Sequence, residues 1–148
     1  MWSVVFGVAN GLALMMWAVL ICLPRKPALL AAVLYLGVGL LCAAYTLALV
    51  GLLTGVLPGG GVGRADFSSL AGLKAIFASD GGMTIGWLHY LAFDLFVGLW
   101  IARDADAKGF SRLVQAPIML TTFLAGPLGL LIWLGIRERR ARAAGRWE

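Results

Sequence analysis

TIGWLHYLAFDLFVGLWIA, residues 84–102, is an apolar stretch of helix length in which His89 and Asp94 are the ionisable side chains. About 20 predominantly apolar residues suffice to cross a bilayer as a helix. Inside hydrocarbon a helix is the form that satisfies its own backbone when no alternating barrel pattern is present. This stretch therefore predicts a membrane-spanning helix with a carboxyl near its middle.

The flanking sequence repeats the pattern. Residues 2–23 are apolar apart from Ser3 and Asn10, and Pro24 with Arg25 and Lys26 ends the run. A cleaved signal peptide would need a basic start, a shorter apolar core and a small-x-small site; none is present. Residues 28–57 carry no charge, and residues 113–136 form a fourth apolar window. Composition agrees: of 148 residues, 61% are hydrophobic and 13% charged, where soluble domains have about 45–50% and 25%. We expect an all-α polytopic membrane protein, residues 1–148 forming one domain with four transmembrane helices. The net charge of +5 sits at the edges of the apolar windows. That placement suits membrane lipid headgroups and points away from nucleic acid.

Between the second and third windows, PGGGVG gives way to DFSSLAGLKAIF. Asp66 is placed to cap a short amphipathic interfacial helix over 67–77, with Phe67, Leu70, Leu73, Ile76 and Phe77 on one side. It acts either as a surface spacer or as a lid over a cavity. Four spans place both termini on one side, and the basic tail, 137–148, tips that side toward the cytoplasm. The expected location is the cell inner membrane, multi-pass.

An ionisable side chain in hydrocarbon is a functional hypothesis by default. His89 and Asp94, five residues apart, stand roughly 140° apart around a helix, whereas Trp87, Tyr90, Asp94 and Gly98 share a face. Asn10, Tyr45, Thr46, Thr121 and Thr122 fall near the middle of the other spans, and convergence on Asp94 would make a buried polar layer. That layer either clamps the bundle or does chemistry. A metal site is not expected, because one histidine and scattered acids fall short of the usual ligand set. Cys22 and Cys42 read as buried free thiols. Pro127 predicts a kink in the fourth helix, and Gly126 and Gly129 allow close approach of a backbone or a flat ligand. We expect a seam between the third and fourth helices, with Trp87, Tyr90, Gly98 and Trp100 facing Gly126, Pro127 and Gly129. It is either a groove for an elongated apolar molecule or a packed interface.

The segment WLHYLAFDLFVGLWIARDA at 87–105, API at 116–118 and LTTFLAGPLGLL at 120–131 resemble the abscisic-acid-deficient-four-like family. Weaker echoes are VANGLALMMWAVLICLPR at 8–25 and FSSLAGLKAIF at 67–77. Plant members of that family are required for neoxanthin synthesis from violaxanthin. They carry a plastid transit sequence, and Met1 here leads straight into the first span, as in a bacterial-type member. The resemblance implies carotenoid or isoprenoid metabolism. The expected activity is a carotenoid isomerase of neoxanthin-synthase type acting on a membrane-dissolved substrate, with no cofactor. Opening an epoxide to an allenic alcohol is redox-neutral and needs a proton donor and a base. Asp94, favoured in its neutral form in hydrocarbon, is the expected acid, and His89 the expected base or water-orienting group. Asn10, Thr121 and Thr122 join the seam residues as the expected substrate contacts. The alternative is a non-catalytic pigment- or lipid-binding accessory subunit of a larger complex or homo-oligomer.

Overall fold

The computed structural model describes residues 1–59 and 66–144, and among these every regular element is helical. The glycine-rich run at 60–65 and the last four residues of the basic tail lie outside the described residues. Helix α1 is Trp2–Cys22. After the turn at Pro24–Lys26, α2 covers Pro27–Leu53, with a π-wound middle at Val33–Gly39. The short α3 is Leu70–Phe77, the long α4 is Asp80–Ala107, α5 is Arg112–Leu124 and α6 is Gly126–Ala144.

Helices α1, α2 and α4 are long and apolar enough to cross a membrane. Large outward-facing side chains such as Val4, Val8, Leu47 and Leu53 suit a lipid surround. The core runs between these three helices. Ala13, Trp17 and Leu20 of α1 are buried with Val33 and Leu41 of α2 and with Leu88, Leu95 and Leu99 of α4. At Gly98 the Trp17 ring occupies the place a Cβ would take, and Gly37 lies equally close to Met16 and Leu95. These glycines let large side chains reach the helix backbones.

The fourth apolar window is not one helix. Ala125 adopts φ −154°, ψ 75° and breaks it. Pro127 stands second in α6, where its missing N–H costs nothing. The two pieces double back on each other. A Cβ on Gly129 would overlap Thr122, and Ile118 of α5 and Trp133 of α6 share one buried cluster with Ile101 and Ala105 of α4. Arg112 at the start of α5 donates to the carbonyls of Ile21 and Leu23. Arg140, near the end of α6, donates to those of Lys108 and Gly109. Both ends of the α5–α6 hairpin therefore lie beside the 23–26 and 107–112 turns. Thirteen helical residues rise about 20 Å, which carries the hairpin tip to the level of Asp94, half way along α4.

This overturns the expected placement of the tail. Trp2 donates to the carbonyl of Pro58 and lies against Gly81, so the N-terminus sits at the start of α4. Residues 137–144 sit at its other end. Arg25, Lys26, Arg103, Lys108, Arg112, Arg137, Arg139, Arg140 and Arg142 gather at that second end. Among the described residues, only Lys74 is left for the first.

The basic end is held by buried charge. Arg25 reaches the Ala102 carbonyl, Asp106, Gln115 and the Met119 sulfur, and burial pulls its pKa below the ordinary value while Asp106 opposes the shift. Asp104 takes Arg137 in a two-pronged pair and also meets Lys108 and the Trp133 indole. Together these residues pin the hairpin to α4.

Candidate functional site

Asp94 points at the tip of the hairpin. A Cβ on Gly126 would overlap its carboxyl, so only glycine permits this approach. Gly126 opens α6, and its N–H is one of the donors a helix start leaves unpaired. The next available ones, of Leu128 and Gly129, are taken by the Ala125 carbonyl. Tyr90, one turn before Asp94 on α4, brings its hydroxyl close to both the Asp94 carboxyl and the Gly126 N–H. A carboxyl at a helix N-terminus also lies at the positive end of the helix dipole. Its Oδ2 is buried and has no hydrogen-bond partner. The site thus gathers the Gly126 N–H, the Tyr90 hydroxyl and the Asp94 carboxyl half way along α4, with one carboxyl oxygen open.

Because the hairpin stops at this level, it leaves the outer half of the α1–α4 face uncovered. Trp87 stacks between Phe6 and Tyr90, with ring centroids 5.7 and 5.1 Å apart. The Trp87 indole donates to Asn10 Oδ1 at 3.1 Å. Phe6, Trp87 and Tyr90, with Asn10 bonded to the middle ring, form an aromatic wall descending from the first end of the bundle to Asp94.

The other sequence-derived residues are placed elsewhere. Thr46, Thr121 and Thr122 each bond a carbonyl one turn back in their own helix, so the expected polar layer does not form around Asp94. Gly98 is filled by Trp17 and belongs to the α1 contact. Trp100 lies under the Arg137 guanidinium at the basic end. The seam between α4 and the hairpin is packed in its inner half and open beyond the tip. Pro127 shapes the tip from the second position of α6. His89 leaves α4 toward α2, its ring against Tyr45 and Phe93 at 5.6 and 4.6 Å, and the structure does not bring it to Asp94. Cys22 and Cys42 are free thiols on the outer surface, not in the core.

The Gly126 backbone donor is the functional group that sequence reasoning missed. The signal was present: Gly-Pro within an apolar window marks a helix start as readily as a kink.

The ABA DEFICIENT 4-like family model matches residues 4–133 of this sequence. The chain belongs to that family. The match runs from α1 into α6 and includes every residue of the Asp94 site. Among curated proteins and solved structures, none matches the chain. For this ABA DEFICIENT 4-like chain, membership points to a membrane protein related to carotenoid metabolism.

Proposed function

We propose that this chain is a membrane enzyme of carotenoid metabolism that isomerises a bilayer-dissolved, carotenoid-like substrate by acid–base chemistry. The observation that carries the reading is the open Asp94 Oδ2, buried at mid-membrane depth beside Tyr90 and the hairpin tip. The substrate enters from lipid over the uncovered face lined by Phe6, Trp87 and Tyr90, without passing through water. On an epoxide end group, protonated Asp94 gives its proton to the epoxide oxygen as the C–O bond opens. A proton then leaves the adjacent carbon, and the Asp94 carboxylate is the base within reach. The carboxyl ends as it began, so the step is redox-neutral. Tyr90, close to both the Gly126 N–H and the carboxyl, is the positioning residue.

The test is conversion of an epoxycarotenoid by the purified protein in lipid nanodiscs. Asp94→Asn keeps shape but has no transferable proton. It is expected to retain its melting temperature and to lose about 10²–10⁴-fold in rate, the usual contribution of a positioned acid or base. Full conversion by Asp94→Asn would leave Asp94 as a clamp.

The charge distribution supports an orientation with the basic end in the cytoplasm, the C-terminus inside and the N-terminus outside. Tags at the two termini of the protein in intact cells are then expected to be accessible from opposite sides. Both tags on one side would rule out the hairpin reading of the fourth window.

A further inference from the structure

On the face of α4 turned away from Asp94, α2, α3 and α4 border a half-open pocket of about 270 Å³. Its walls are Tyr45 and Leu49 of α2, Ile76 and Phe77 of α3, and Gly86 and His89 of α4. Every other lining side chain is apolar or absent, so Tyr45 and His89 are its polar groups. Neither hydroxyl nor imidazole finds a hydrogen-bond partner among the described residues; their contacts are ring against ring. Tyr45 is half-buried and His89 exposed; facing hydrocarbon, a polar group without a partner is costly, so both would gain from a ligand oxygen.

The roof is built in advance. Ser79 accepts from Gly82 N–H and donates to the Ile76 carbonyl, closing a tight corner between α3 and α4. Gly82 and Gly86, one turn apart, let Ile76 and Phe77 lie directly on the α4 backbone. The floor, at His89, is about 13 Å along α4 from its first residue, so the pocket reaches from the interfacial helix into hydrocarbon. Ligand pockets typically run about 300–1,000 Å³. A single ring suffices to fill this one.

We infer that this pocket is a second binding site, separate from Asp94, for a compact apolar ring carrying one hydroxyl or carbonyl group. The ligand oxygen bonds His89 or Tyr45, and its ring fills the space under Ile76 and Phe77. An imidazole N–H donates to an alcohol or ketone oxygen and the Tyr45 hydroxyl donates or accepts, so the pair serves either group.

His89 is the one histidine in the chain, so ¹⁵N-histidine labelling of the full protein gives a single imidazole signal from this site. In nanodiscs of a zwitterionic phosphatidylcholine, α-terpineol is expected to shift that signal saturably. Limonene, a similar ring without the hydroxyl, is expected to act at least tenfold more weakly. Leu49→Trp fills the cavity and is expected to abolish the shift. Should that variant fail to fold, Tyr45→Phe is expected to weaken α-terpineol several-fold. Asp94→Asn is expected to leave the titration unchanged, which keeps this result apart from that of the catalytic reading. No saturable shift, an equal response to limonene (the behaviour of a site for lipid chains), or indifference to both pocket variants would overturn the proposal.

Discussion

The two faces of α4 meet their neighbours in opposite ways. Toward the hairpin, Asp94 faces backbone: a glycine at the start of a helix, with no side chain between. Toward α2 and α3, His89 faces side chains, the rings of Tyr45 and Phe93. Backbone cannot rotate out of the way, whereas side chains at a lipid surface can. The Asp94 face is therefore fixed in geometry and suited to holding a proton at one atom. The His89 face is adaptable and suited to accepting a guest.

Paired glycine substitutions sharpen that contrast. Gly126→Val drives a branched side chain into the Asp94 carboxyl, which must leave its place at the hairpin tip to relieve the overlap. It is expected to cost about 1–3 kcal/mol, the range for overpacked interiors, and to abolish conversion, read by thermal unfolding in detergent and by product formation. Combining it with Asp94→Ala, which clears the space, is expected to cost less than the sum of the two, as contacting residues should. On the opposite face, the Cβ introduced by Gly86→Ala meets the outer edge of the Phe77 ring. Phe77 is 44% exposed and has room to swing, so the expected cost is smaller, below about 1 kcal/mol. Equal costs at the two glycines would erase the distinction.

Legibility in the sequence followed the same division. The spans of α1, α2 and α4 were readable because a long apolar run permits little but a helix in hydrocarbon. Asp94 stood out because a carboxyl there is expensive. The Asn10–Trp87 contact and the hairpin could not be read from hydropathy, since a hairpin with both arms in lipid has the same composition as a single span. The break at Ala125 depends on local geometry around Gly126 and Pro127, and the tail's placement depends in turn on that break. The neighbours of Asp94 were sought among side chains of other helices at matching depth, whereas the structure places it beside Tyr90 of its own helix and the backbone at Gly126. A side-chain search passes over a backbone neighbour. His89 was coupled to Asp94 by proximity in sequence, although their angular separation already argued against a shared face.

The short helix α3 gives the smallest test. It starts at Leu70, capped by Ser69, which accepts from the Gly72 N–H. Asp66 is not the cap. It sits three residues earlier, accepting from the Ser68 backbone N–H and from the hydroxyls of Ser68 and Ser69. These bonds favour the ionised carboxyl, those of Ser68 and Ser69 side chains most, and hold its pKa below the ordinary carboxylate value. A group whose folded pKa is depressed stabilises above its unfolded value and loses that contribution as pH falls through the folded one. Asp66 is fully exposed, so water screens the effect and it stays local. Lowering the pH from neutral through the carboxylate range is therefore expected to reduce hydrogen-exchange protection at the start of α3 slightly, after correction for intrinsic exchange rates. Asp66→Asn is expected to remove that dependence. Protection at the start of α6, on the Asp94 face, should be the same in the variant and the parent across this range. A change there on substituting Asp66 would mean that the two faces of α4 are coupled through α3, and the division between a fixed face and an adaptable one would fail.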